Sequence, residues 1–160
     1  MSLKIQKNII LLIRLLVFSS FLHIISKRKI RFIQGFSEDG FEPNTIYITS
    51  LFTYAYEPVH DVIRYYSKKY KKAKIIVGGI YATLCSEHLE EIFGSRIEIH
   101  KGLMPEAEDI LPDYSLVPEW KASILFSSRG CIRKCPFCSV PILEPEFRAK
   151  NHKASHISRA

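Results

Sequence analysis

Cysteine is scarce in this chain, and its few copies are unevenly placed. Only four cysteines occur among 160 residues, and three of them, Cys131, Cys135 and Cys138, fall within eight positions. Thiols so close together in one loop are poorly placed to join distant segments, so the pattern excludes the disulfide framework of a small secreted domain. It favours a shared metal or cluster in a reducing compartment, and we therefore expect a cytoplasmic protein.

The sequence also lacks the signatures of an exported or nucleic-acid-binding protein. No A-x-A-like cleavage site follows the apolar segment 9–25. That segment is short for a membrane span, and Arg14 would cost about 2.5–3.5 kcal/mol near the bilayer centre. We interpret it as a buried strand over 9–17 followed by a helix, with a membrane anchor as the alternative. The net charge of +7 is dispersed, which indicates no specific nucleic-acid site.

Strand-like and helix-like segments alternate through residues 1–110. Short β-branched runs predict strands, and apolar residues at helical spacing predict helices, with Ser86 as a cap and Gly94 as a stop. The predicted strands span 30–35, 45–50, 74–79 and 96–100, and the predicted helices span 57–73 and 86–94. Such alternation is typical of a doubly wound α/β domain, a parallel sheet with helices on both faces.

Ligands of such sheets bind beyond the carboxyl ends of the strands. Segments 50–54, 78–84 and 101–109 should lie on this rim. Ser50, Gly78 and Gly79 are the candidate ligand-binding residues there, because paired glycines allow a close backbone approach. The alternative is that the glycines make only a tight strand-to-helix turn. We interpret the nearby His60 and His88 as helix-surface residues.

The alternation of strand-like and helix-like segments ends at residue 110. Residues 111–122 contain two prolines and show no periodic face, so they predict a linker. Residues 123–128 predict a new strand that leads directly into the cysteine loop, within a second unit over 123–150. Residues 151–160 predict a disordered basic tail.

Three closely spaced thiolates suit an iron–sulfur cluster better than zinc. A structural zinc site takes four ligands, usually in two pairs, and His152 and His156 follow the cysteines at a spacing that matches poorly. Cys85 is more simply a buried thiol of the first domain. Three thiolates can hold three irons of a four-iron cluster and leave the fourth iron open, which is an arrangement typical of an enzyme.

The spacing C-x-x-x-C-x-φ-C, with Phe137 before the last cysteine, resembles the cluster-binding loop of the radical SAM superfamily. The resemblance implies that Cys131, Cys135 and Cys138 bind a [4Fe–4S] cluster. It implies that S-adenosylmethionine chelates the free iron and is cleaved to a 5′-deoxyadenosyl radical. It also implies that Phe137 lies near the adenine and that 123–128 is the first strand of a (β/α) barrel.

The upstream sequence extends the resemblance over residues 45–148. "IIVGGIYATL", then "GLMPEAEDILPDYS", then the cysteine loop resemble radical SAM proteins with an N-terminal B12-binding-like, flavodoxin-like domain. This implies cobalamin as a further candidate cofactor at the rim of Ser50, Gly78 and Gly79. However, the D-x-H-x-x-G motif is missing, and Tyr81 stands where members of this group often have the histidine of G-G-x-H.

A complete (β/α) barrel takes about 250 residues, whereas 22 residues follow Cys138. The segment "NHKASHISRA" shows no apolar face and resembles readthrough in a shifted frame. We therefore expect a truncated radical SAM form that binds a cluster at most, or one that a separate barrel polypeptide completes. The alternative is a non-catalytic α/β binding module whose loop holds a structural metal or cluster. The sequence predicts no particular substrate, whether a small molecule or a macromolecule.

Overall fold

The computed structural model describes residues 31, 33, 35–38, 40, 42–50, 52–105, 114 and 126–149. The predictions for residues 9–25, for the linker 111–122 apart from Tyr114, and for the tail 151–160 lie outside these ranges. Among the described residues, no helix combines the length and the apolar character needed to cross a bilayer.

The first unit is built on a parallel three-stranded sheet with the order β1-β2-β3. Its strands are β1 (Thr45–Ser50), β2 (Lys74–Gly79) and β3 (Glu98–Ile99). Ser50 lies opposite Gly79 at the carboxyl ends of β1 and β2. The predicted α/β class and the strands 45–50 and 74–79 are confirmed. The predicted strand 96–100 is shorter, because Gly94–Arg96 form a turn of 3-10 helix.

The predicted strand 30–35 is not supported where it can be checked. Its described residues, Arg31, Ile33 and Gly35, carry no strand assignment. Gly35 instead accepts a hydrogen bond at its carbonyl oxygen from the hydroxyl of Tyr66, at 3.2 Å. This part of the chain therefore contacts the first helix of the sheet domain as irregular backbone.

Three helices connect the strands: α1 (Tyr56–Lys69), α2 (Ile80–Leu84) and α3 (Ser86–Phe93). The helix predicted over 57–73 ends early, since Ala73 N–H bonds to Tyr70 O in a turn before β2. The cap prediction for Ser86 is wrong, because Cys85 takes the N-cap position. The stop at Gly94 is confirmed by its φ of +49° and by its N–H bond to Glu90 O.

One apolar core joins the sheet to these helices. Ile48, Ile75 and Val77 alternate along β1 and β2 and so share one sheet face. The buried core consists of Ile48, Ile63, Tyr66, Ile75, Val77, Tyr81, Ala82, Leu89 and Ile97. All three helices contribute to this single core, so helices on the opposite sheet face stay a prediction.

The second unit is a short segment around the cysteine loop. It contains β4 (Ser128–Arg129), α4 (Val140–Leu143) and β5 (Arg148–Ala149), and β4 pairs antiparallel with β5. Of the strand predicted over 123–128, residues 126–128 are described; Ser128 is in a strand, and Phe126 and Ser127 precede it as irregular backbone. The barrel therefore stays a prediction. Cα atoms of α4 and α2 come within 8 Å, which places the cysteine segment beside the end of β2.

Candidate metal centre

The cysteine loop is held at its base by one buried carboxylate. Glu144 Oε2 accepts a hydrogen bond of 2.9 Å from Gly130 N–H, and Glu144 Oε1 lies 3.4 Å from Arg129 Nη2. The side chains of Arg129 and Glu144 are only 6% and 10% exposed. We call these three residues the neck. Because charge-assisted bonds strengthen away from water, the neck fixes where the loop begins and ends.

Gly130 is required at the neck by its backbone. Its φ is +70°, and a Cβ atom there would lie 2.2 Å from the carbonyl oxygen of Glu146. Any side chain at this position would therefore push the backbone of residue 130 away from that of Glu146. Arg129 additionally places its guanidinium 4.7 Å from the ring centroid of Phe126, a cation–π contact.

All four cysteines lie among the described residues and are free thiols. Cys131 is exposed, and Cys135 and Cys138 are half-buried. Arg133 N–H donates a hydrogen bond of 3.4 Å to Cys131 Sγ. Cys138 N–H bonds to Cys135 O at 3.1 Å and forms a turn between the last two cysteines. The loop therefore presents three reduced sulfur atoms on short, turning backbone.

The donor set fits a cluster, but the coordination shell is not assembled. Across the residues that the structure describes, no three His, Cys, Asp or Glu side chains form a group able to hold a metal ion. The three predicted ligands share one loop, but their sulfur atoms are not gathered around one point in this part of the chain. Phe137 is 90% exposed between two of them, so its ring face is accessible.

The predicted rim residues Ser50, Gly78 and Gly79 do lie together. Ser50 is 1% exposed, and its hydroxyl donates to Gly78 O at 3.1 Å and accepts from Ala82 N–H at 3.3 Å. Gly79 has a φ of +98°, and a Cβ there would lie 2.2 Å from Ser50 O. This geometry favours the tight strand-to-helix turn. The cobalamin role of these residues stays a prediction.

Sequence reasoning missed a buried polar network in the core. Tyr81 Oη lies 2.8 Å from His60 Nε2 and 2.8 Å from His88 Nδ1. The surface interpretation is wrong for His60, which is 2% exposed, and His88 is half-buried. A signal was present, because His60 precedes the core residue Ile63 by one helical turn and so lies on the same face.

Acidification is expected to weaken the fold through His60. Burial first, and then the neighbouring His88 and Arg64, lower the pKa of His60 below its usual 6.5, against the opposing influence of Asp61 and Glu57. Below about pH 6.5 the imidazole of His60 becomes protonated in the unfolded chain, whereas in the folded chain it stays neutral to a lower pH. The free energy of unfolding should therefore fall as pH drops from there towards the folded-state pKa, and then level off.

Urea unfolding at a series of pH values measures this effect. The control is His60→Gln, which removes the titrating ring while its amide can still bond to the hydroxyl of Tyr81. We expect a shallower dependence of stability on pH in this variant. Parallel curves for the variant and the natural chain would show that His60 is not the responsible group.

Fold and site together define an α/β protein with a thiol-rich loop packed beside the end of its sheet. We compared the chain with protein-family models, with curated proteins and with solved structures, and none of the three comparisons found a match. The site assignments therefore rest on the residues themselves and on the geometry described above.

Proposed function

We propose that this chain is an iron–sulfur protein of the radical SAM type. In this proposal Cys131, Cys135 and Cys138 hold three irons of a [4Fe–4S] cluster, and the open iron binds S-adenosylmethionine. The observation that carries the proposal is that three reduced thiols lie in one loop whose ends are tied by a buried carboxylate. Three ligands, and not four, leave a coordination position for a second molecule.

The charges of the loop suit an anionic cluster. The backbone N–H of Arg133 already donates to Cys131 Sγ. The side chains of Arg133 and Lys134 are exposed on the same loop, where their positive charge would offset the negative charge of a cluster. When bound, the cluster would supply an electron to the sulfonium of S-adenosylmethionine. The part of this chain is to hold the cluster and to keep its fourth iron accessible.

Phe137 supports binding of the adenosyl group. Phe137 immediately precedes Cys138 and its ring is almost fully exposed, so it offers a flat apolar surface beside a proposed cluster ligand. Aromatic rings stack on nucleobases with a favourable free energy of about 1–3 kcal/mol. Contact between α4 and α2 also brings the loop near the carboxyl ends of the sheet, where ligands of parallel sheets bind.

The same site also supports proposals about the cellular compartment and about how much of the reaction the described residues could perform. Free thiols at all four cysteines suit a reducing compartment, so we propose that the protein is cytoplasmic. Cleavage of S-adenosylmethionine would further need barrel strands, which are not among the described residues. We therefore propose cluster binding for the described residues, with catalysis dependent on barrel strands that lie outside them.

The test is anaerobic reconstitution of the full chain with iron and sulfide, followed by electron paramagnetic resonance of the reduced protein. We expect a [4Fe–4S] signal that changes when S-adenosylmethionine is added. Adenosine is the matched control, because it lacks the amino and carboxylate groups that chelate iron, and it should leave the signal unchanged. A cluster insensitive to S-adenosylmethionine would favour the structural-cluster alternative, and zinc without a cluster would refute the proposal.

A further inference from the structure

We infer that Glu144 is a positioning residue of the proposed metal centre, acting through Gly130 and Arg129 to tie together the two ends of the loop that carries the three thiols. The inference rests on the proposed function, since it requires that the loop bind a thiophilic metal or cluster. Glu144 is not itself proposed as a ligand.

The first step of the argument is that one carboxylate joins both ends of the loop. Gly130, which donates its N–H to Glu144 Oε2 at 2.9 Å, is the residue directly before Cys131. Glu144 follows α4 directly, beyond the last of the three cysteines. All three thiols therefore lie between two points that this hydrogen bond holds together.

The second step is that the contact is buried, whereas most of the loop is not. The Arg129 and Glu144 side chains are almost fully enclosed, while Cys131, Arg133 and Lys134 are exposed. A buried carboxylate is tolerated when both of its oxygens have partners. The bond from Gly130 N–H uses the second carboxylate oxygen, which is why Glu144 can orient the backbone and hold the pair at once.

The third step concerns binding. The sulfur atoms do not form a ready-made metal group among the described residues, so the loop must lose conformational freedom when a metal binds. The contacts of the neck already restrict the two ends of the loop in the metal-free protein. The loop therefore loses less conformational entropy when a metal binds. Residues that orient ligands without touching the metal typically change metal affinity about 10- to 100-fold.

The test uses apo protein and Cd²⁺, a soft ion that binds thiolates and gives a sulfur-to-metal absorption band. All proteins carry Cys85→Ser, so that only the loop thiols report. Glu144→Ala should weaken Cd²⁺ binding about 10- to 100-fold. Glu144→Gln keeps an oxygen for Gly130 N–H and should bind with intermediate affinity. The matched control is Glu146→Gln, which removes an exposed carboxylate two residues away and should bind like the parent protein.

Far-UV circular dichroism and urea unfolding of each variant separate positioning from folding. A positioning role predicts lower affinity in a protein whose α/β domain remains folded. If Glu144→Ala unfolds the segment, the comparison moves to Glu144→Gln with and without Arg129→Gln. The double variant removes both charges and keeps the neck hydrogen bond, so it should regain affinity over Glu144→Gln alone.

Two results would overturn the inference, and they are distinguishable. Equal Cd²⁺ affinity in the parent and both Glu144 variants would leave the proposed function intact and remove the positioning role. Absence of any sulfur-to-metal band in the parent protein would remove both, because the loop would then not bind soft metals at all.

Discussion

Replacing Cys135 by alanine is expected to abolish cluster assembly, whereas replacing Cys85 should leave it unchanged. Cys135 is the middle of the three loop thiols, and two thiolates cannot hold three irons of a four-iron cluster. Cys85 instead takes the N-cap position of α3 in the sheet domain. Iron and acid-labile sulfide per chain after anaerobic reconstitution measure the effect. We expect iron at background level in Cys135→Ala and at the parent level in Cys85→Ala.

The pair of variants also decides which cysteines are ligands. Both substitutions remove one half-buried thiol, so a general loss of stability would affect both proteins similarly. Full iron content in Cys135→Ala would be incompatible with the proposed ligand set. Loss of iron in both variants, with both proteins still folded by far-UV circular dichroism, would implicate Cys85 as a fourth ligand, and with it a closed cluster that has no position for S-adenosylmethionine.

Replacing Gly79 by alanine is expected to destabilise the sheet domain severely. Gly79 has φ +98° and ψ −169°, a region that is essentially restricted to glycine. Backbone strain alone costs about 1–3 kcal/mol. The added methyl would also lie 2.2 Å from Ser50 O, and forcing β1 away adds about 1–3 kcal/mol more. Together these are a large part of the 5–15 kcal/mol by which an ordinary domain is stable.

Gly78→Ala is the matched control for this prediction. A Cβ at Gly78 would meet only His100, at the ordinary distance of 3.7 Å. Alanine there should therefore be neutral or slightly stabilising, because glycine weakens a strand by roughly 0.5–1 kcal/mol relative to alanine. Urea unfolding followed by far-UV circular dichroism compares the two variants. Equal stability of the two variants would mean that the turn tolerates a side chain at residue 79. The interpretation of Gly79 as a ligand contact would then be favoured over the tight turn.

The sheet could be predicted because its signals are local. Thr45–Ser50 and Lys74–Gly79 are short β-branched or apolar runs with clear ends, and both strands were located to the residue. The strand predicted over 96–100 is longer than the observed β3, because a tertiary contact shortens that strand. Arg96 donates from its guanidinium to the carbonyl oxygens of Tyr70 and Ala73, at 3.0 and 3.2 Å, and this fixes it in the turn before Glu98.

The three candidate thiols could be predicted from the sequence, whereas the contacts that support their loop could not. Spacing alone identifies three cysteines that share a loop. Nothing in the spacing indicates that Glu144 returns to Arg129 and Gly130, because that contact depends on how β4 pairs with β5. His60 was misjudged for another reason: a polar residue on an apolar helix face was assigned by its chemistry and not by its position on that face.

The hydroxyl of Tyr81 has one proton but two imidazole neighbours, His60 and His88. It can donate to one ring only, so the other ring must donate to the phenol oxygen. The tautomers of the two histidines are therefore correlated: the ring that receives the proton of Tyr81 carries its own hydrogen on the far nitrogen, and the other ring carries its hydrogen on the near one. Reversal of this arrangement would also require one ring to lose the hydrogen of its far nitrogen and the other ring to gain one there, because proton transfer along the two bonds alone would leave an imidazolium and an imidazolate. The core of this protein thus contains a hydrogen-bond chain with a direction, which is set by the tautomers of its two histidines.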